Sequence, residues 1–249
     1  MDGGGHCTDR LPCRRGPPVT GITPGGGTEH GEDRGDARQS EGDLRVGRRD
    51  ERRARVHSDL LDAARRTVEE SGAQALTMRG LAADLGYSAP VVYQHFADRQ
   101  AVLDAVAAEG FRLLAEHLTA AVVAQPSARS GPEALTVAYL AEARENPRLM
   151  DLMHSPQVTP AARADAAQGV EEITRSAVLA WADAHEIDLG PGVEEAEVLW
   201  ALAQGLTTID RITTPSAGSA DGADRAAAAV LALTAGWLQR GSENGTAPS

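Results

Sequence analysis

Side-chain chemistry needs nucleophiles, bases or metal ligands at workable spacing, and this sequence offers few. Its two cysteines, Cys7 and Cys13, both lie in a polar N-terminal stretch. Two thiols cannot frame a disulfide-held fold, and no third or fourth thiol completes a zinc site. His6 beside Cys7 adds only an adventitious ligand. His117, His154 and His185 stand isolated, as surface or structural histidines do. No glycine-rich phosphate loop follows a strand, and no carboxylate–histidine cluster has metal spacing. The expectation is therefore no catalytic residue, no metal, no cofactor, and a protein that is not an enzyme.

A different chemistry, the grip on a polyanion, is offered between Thr77 and Phe96. Thr77 stands directly ahead of Met78, Leu81, Ala82 and Leu85, where its hydroxyl can cap a short helix that Gly86 closes. Ser88 can cap the next helix, with Pro90 in the first turn where its missing N–H costs nothing. That helix is read as running through Val91, Val92, Tyr93 and Phe96. Leu81, Leu85, Val92 and Phe96 would then form the small core that sets the crossing angle. Such a pair can present its second helix to the DNA major groove, ~12 Å wide. Ser88, Ala89, Pro90, Val91, Gln94 and His95 would lie at or near the groove, where free N–H groups at the helix start favour an anion. On spacing alone, two helices packed in an ordinary bundle fit equally well.

The elements that must position this pair read as helices throughout. Apolar residues make up 42% of the chain but aromatics only 3%. The core must therefore be Ala, Leu and Val, which suits closely packed helices better than a β-sandwich. Residues 1–43 hold 11 Gly and 4 Pro, so a disordered tail is expected over 1–44. From about Arg52, Val56, Leu60, Ala63, Ala64 and Val68 recur at helical spacing and stop at Ser71–Gly72. Asp98 caps a fourth helix that carries Val102, Leu103 and Val106 on to Phe111, Leu114 and Leu118. Further helices are expected over about 133–144, 161–185, 194–214 and 223–239, with a short apolar patch at Leu149, Leu152 and Met153 between breaks. A Gly/Ser-rich loop is expected over 216–222, and a disordered end over 241–249. The fold class is all-α: a three-helix, helix-turn-helix domain over 52–112 joined to a helical body over 113–240.

Charge is distributed unevenly. The net is −12, and lysine is absent. Residues 44–55 carry 6 Arg against 2 acids, while everything after residue 55 carries 13 Arg against 26 acids. A basic stretch ahead of an acidic body permits phosphate contact in one place and repels a duplex elsewhere. Arg48, Arg49, Arg52 and Arg53 could form an arm reaching phosphates or a minor groove, or an ordinary solvated face. No apolar run approaches the ~20 residues that span a bilayer. The N-terminus lacks the basic-then-apolar order of a signal peptide. A soluble, cytoplasmic, nucleoid-associated protein without membrane partners is expected.

Thr77-Met78-Arg79-Gly80-Leu81-Ala82-Ala83-Asp84-Leu85-Gly86, Ser88-Ala89-Pro90, and Val92-Tyr93-Gln94-His95-Phe96 with Asp98-Arg99-Gln100-Ala101-Val102-Leu103 closely resemble the N-terminal domain of TetR-family regulators. The match runs in register over about 55–110. It implies a DNA-binding transcriptional regulator, commonly a repressor. Thr77 resembles a phosphate contact and Arg79 a phosphate or base-edge contact. Ser88, Ala89, Pro90 and Val91 fall where sequence is read, and Tyr93 and His95 where the backbone is gripped. Gln94 stands where many members carry a basic residue. Val91 is a candidate for a thymine methyl.

The body carries a second resemblance, to the TetR C-terminal subfamily named for a Trp-His-Gly signature. It rests on Tyr139-Leu140, on Glu145-Asn146-Pro147-Arg148-Leu149-Met150, and on Leu199-Trp200-Ala201-Leu202-Ala203-Gln204-Gly205-Leu206. Gln204 replaces the signature histidine, with an amide that can hydrogen-bond in its place. The resemblance implies a ligand-binding and dimerisation domain. Phe111, Tyr139, Met150, Met153, Trp181, Trp200 and Gln204 are the candidate contacts for an apolar or amphipathic effector, and each is also a reasonable core residue. Trp200 and Gln204, one turn apart, suit an apolar cavity with a polar handle. The last two helices would pair with their symmetry mates, and a symmetric dimer implies a palindromic operator. The alternative is a DNA-binding or helical interaction protein of the same fold without effector response.

Overall fold

The computed structural model describes the backbone of residues 33–125, 127–213 and 219–244, and side chains within 47–125, 127–212 and 224–241. Every regular element among these residues is helical: α1 (Asp33–Ser71), α2 (Met78–Asp84), α3 (Ala89–Tyr93), α4 (Arg99–Val123), α5 (Gly131–Glu145), α6 (Pro147–His154), α7 (Pro160–Ala184), α8 (Val193–Thr213) and α9 (Ser219–Asn244). The chain divides into two units, residues 1–51 and 52–249. The all-α reading and the order of helices hold.

Several boundaries differ from the expectation. The first helix begins at Asp33, not near Arg52, so residues 33–44 are helical although their sequence carries no apolar stripe. That segment is rich in Arg, Asp and Glu, whose straight side chains and mixed charges suit a solvated helix. Residues 1–32 lie outside the described residues, as do 245–249. The final helix starts at Ser219 and ends at Asn244, taking in part of the expected loop and part of the expected tail.

Within the second unit, spacing becomes packing. Leu60, Ala64 and Val68 lie on the inner face of α1, each wholly buried. Gly72 ends the helix at φ 81°, where its amide donates to Val68 O at 2.8 Å. Most of the buried residues form one core, from Leu60 through Phe111 and Leu149 to Trp237, which the helix-turn-helix and the body share; Leu140, Leu206 and Ala226 form a small second cluster. The link is α4. Its first half packs Val102, Leu103 and Val106 beneath α1–α3, and its second half packs Phe111, Leu114 and Leu118 into the body against α5, α6 and α7. Gly110 lets α6 sit close, since a Cβ there would lie 2.7 Å from Met153 Sδ.

Candidate nucleic-acid interface and ligand cavity

The expected DNA contacts all fall within one helix-turn-helix. Thr77 Oγ1 accepts from the Gly80 amide at 3.0 Å, capping α2 and leaving its own hydroxyl proton free to donate. A Cβ on residue 80 would stand 2.9 Å from that oxygen, so glycine makes room for the cap. Gly86 turns the chain at φ 67°, and Tyr87 N donates back to Ala82 O at 2.8 Å. Only glycine adopts this backbone without a steric cost, so the spacing of α2 and α3 depends on it.

The second helix is shorter than its apolar pattern predicts. It stops at Tyr93, and the Gln94 and His95 amides turn onto Val91 O and Val92 O. A helix of five residues has little dipole, so the anion preference expected at its start carries no weight here. Ser88 occupies the capping position, yet its hydroxyl makes no capping bond and stays exposed. Val92 is wholly buried while its neighbour Tyr93 is 54% exposed. Phe96 is buried beside them. This alternation fixes the helix by its inner face and turns the outer one to solvent. Arg79, Pro90, Tyr93 and Gln94 are exposed, whereas Ala89, Val91 and His95 are partly covered. Burial, then His57 and Arg53, hold the His95 imidazole below its ordinary range. Arg52 and Arg53 are exposed on α1 in the second unit, while Arg48 and Arg49 are exposed in the first.

Two residues that position this surface were not singled out by spacing. Arg99, at the start of α4, donates from Nε to Leu76 O at 2.9 Å and from Nη2 to Ala73 O at 2.7 Å. It thereby ties the fourth helix to the turn that leads into α2. His57 stacks on Phe96 with 4.7 Å between ring centroids. Neither side chain breaks the helical pattern around it, so only the folded contacts identify them.

In the body, Tyr139, Met150, His154 and Gln204 line a cavity of about 400 Å³ that also meets Arg211 and Ile212. His154 Nδ1 lies 2.9 Å from Met150 O and so carries the proton, leaving Nε2 to accept from the Tyr139 hydroxyl at a long 3.4 Å. Burial holds His154 below its ordinary range, and it stays neutral. Burial also pushes the Tyr139 hydroxyl up to about 12, with the Arg211 charge opposing the rise. Trp200 does not share this cavity with Gln204. It lines a separate groove of about 460 Å³ with Glu171 and Glu197, and its buried Nε1 lies near Tyr139 without a hydrogen bond to any partner. Phe111, Met153 and Trp181 take core positions instead, Trp181 packing on Trp237 with 5.5 Å between rings.

The same helix that walls the cavity also holds the reading head. Arg148 of α6 donates to the carbonyls of Glu69 and Glu70, and Glu69 Oε1 accepts from Leu149 N at 2.6 Å. The Arg148 bonds cap the C-terminal end of α1, where carbonyls have no helical partner, and the Glu69 carboxylate in turn caps an amide in the first turn of α6. Among the described residues no group of three or more His, Cys, Asp or Glu could hold a metal ion, and no helix is long and apolar enough to cross a membrane. Cys7, Cys13 and His6 lie outside the described residues.

Residues 60–106 match the family described as "Bacterial regulatory proteins, tetR family". The chain is similar in structure to a protein of unknown function from Rhodococcus sp. RHA1, with 29% identity, a TM-score of 0.62, and coverage of 72% of this chain and 94% of that one. It is similar to a tetR-family bacterial regulatory protein from Rhodococcus RHA1, at 21% identity and TM-score 0.53, covering 72% and 95% of the two chains. A third likeness, at 15% identity and TM-score 0.57 over 70% and 94%, is to a transcriptional regulator from Saccharomonospora viridis in complex with choline. No curated protein matches the chain. Residues 60–106 thus match a TetR-type N-terminal domain, and the chain shares its all-α fold with a tetR-family regulatory protein.

Proposed function

We propose that this protein is a sequence-specific transcriptional repressor that binds a palindromic operator as a homodimer and is released by a small-molecule effector. The observation that carries the reading is the presentation of α3: Val92 locked in the core, Tyr93 and Gln94 turned outward, and Thr77 with a free hydroxyl proton at the start of α2. Tyr93, His95 and Thr77 hold the phosphates, and Arg79, Gln94 and the small residues Ser88 to Val91 read base edges and methyl groups. With few side chains able to make bidentate base contacts, DNA shape carries part of the specificity.

The dimer is supported by exposed apolar stripes on the last two helices. Val198, Ala201, Gly205, Ile209 and Ile212 recur along one face of α8, and Ala228, Leu231, Ala235 and Leu238 along α9. Ile212 is 76% exposed and Leu231 71%, which a solvated monomer surface seldom repeats in register. Gly205 and Gly236 have open space where a Cβ would stand, room for a second helix to approach. The cavity at Tyr139, Met150, His154 and Gln204 supports an effector that is part apolar, part hydrogen-bonding, and the choline complex of a structural neighbour shows a small molecule held by a related fold. Effector and operator then compete through the spacing of the two heads. The cytoplasm is the compartment this work requires.

The test is a titration of mixed-sequence duplex DNA with the full chain at rising salt. Binding with two chains per duplex, and an affinity that falls linearly in log–log terms with salt, is expected. A folded chain that ignores duplex DNA even at low salt overturns the reading.

A further inference from the structure

Two imidazoles meet at the edge of the reading head. The His57 and His95 rings lie 5.8 Å apart between centroids, both partly exposed, and His57 is fixed there by its stack on Phe96. Arg53, one turn earlier on α1, adds its charge to the same place. The charged and titratable groups acting on His95 among the described residues are these two, His57 and Arg53. All of that charge is positive or becomes so on protonation. In the free protein, therefore, His95 takes up a proton reluctantly, because of its burial first and then the neighbouring His57 and Arg53. A phosphate oxygen placed against the rings reverses the local field and makes the charged imidazole the favoured form.

We propose that His57 and His95 together form a proton-dependent seat for a DNA backbone phosphate, so that binding a duplex takes a proton up from solution. The proposal rests on the DNA-binding reading above and adds to it a second residue, His57, and a pH dependence. The sign follows from linkage. Bound DNA raises the proton affinity of the pair, so duplex affinity is greatest at acid pH and falls as pH rises through the value in the complex. It levels off below the value in the free head. The slope cannot exceed about tenfold per pH unit for each proton taken up. The remaining described histidines, His117, His154 and His185, belong to the body rather than to the helix-turn-helix.

Calorimetric titration of the full chain with a mixed-sequence duplex at low, fixed salt tests this, run in two buffers of different ionisation heat. Proton uptake is expected at slightly acid pH, with affinity about three- to tenfold higher near pH 6 than near pH 7.5. His95→Gln should abolish the uptake. His57→Phe keeps an aromatic ring on Phe96 but removes the titrating charge, which eases protonation of the free head and should shrink the uptake. Thermal melts verify that the variants fold, and His57→Gln replaces His57→Phe if it does not. Duplex binding by the native chain with neither uptake nor pH dependence overturns the inference and leaves the DNA reading standing. Uptake that survives in His95→Gln overturns it too, as does uptake unchanged in the folded His57 variant. No duplex binding at any pH overturns both readings together.

Discussion

Adjacent residues on α3 do opposite work, and the difference is measurable. Tyr93 is mostly exposed, so Tyr93→Phe removes one hydroxyl without touching the core. Each lost phosphate contact should weaken duplex binding by about 1.5–3 kcal/mol while the melting temperature stays put. Phe96, at 5% exposure, is the reverse case. Phe96→Ala should cost about 3–5 kcal/mol of stability, read by denaturant titration, and would lose DNA binding only through loss of the fold. A third residue-scale expectation concerns His154. Burial lowers its proton affinity below that of the unfolded chain, so the unfolded state binds more protons between the native value and about pH 6.5. Stability should therefore rise with pH across that window, and His154→Gln should flatten the slope in melts taken at several pH values. Thr77, Gly86 and Asp98 were readable from sequence because capping and left-handed turns need particular residue types at fixed offsets. His57 and Arg99 were not, since their partners lie 39 residues away at Phe96 and 23 and 26 residues away at Leu76 and Ala73.

At the scale of elements, α6 joins the cavity to the helix-turn-helix domain. Met150 and His154 face the cavity, while Arg148 and Leu149 hold the end of α1. An occupant that shifts α6 thus pulls on the first helix of the reading head. Arg148→Ala should leave the fold intact yet loosen the last turn of α1. Losing a cap worth ~1 kcal/mol should speed hydrogen exchange of the amides near Val68 to Gly72 about fivefold. Unchanged exchange there would remove the clamp from the account. Helical periodicity located this helix only as an apolar patch between two prolines, because eight residues give barely two turns of pattern. The same limit applies to the cavity. Trp200 and Gln204 share a helix face yet line separate cavities, with Tyr139 of a neighbouring helix beside each, and periodicity on one helix cannot show what a neighbouring helix contributes.

For the whole molecule, the acidic body and a helix-turn-helix domain that carries 8 Arg against 8 acids over 52–112 make orientation on DNA the central electrostatic question, and the proposed dimer decides it. The stripes on α8 and α9 place the expected interface away from α2 and α3 in sequence, leaving each head free to reach its own half-site. Leu231→Glu alters a largely exposed side chain, so the monomer's stability should change by about 0.5 kcal/mol or less. Sedimentation should nonetheless show dissociation to monomers. The helical class and the order of helices were legible because apolar residues recur at helical spacing from Val56 to Leu238. The early start of α1 was not, since a helix rich in charged residues leaves no apolar signature in the sequence.

Selection of bound sequences from a random duplex library, at roughly 0.15 M salt, tests the central claim most directly, since it asks at once for specificity and for symmetry. The account predicts an enriched palindrome whose half-sites lie about one helical turn apart, or a multiple of it, and whose enrichment disappears with Leu231→Glu. Enrichment of an asymmetric single site, or none from a folded dimer, would contradict it.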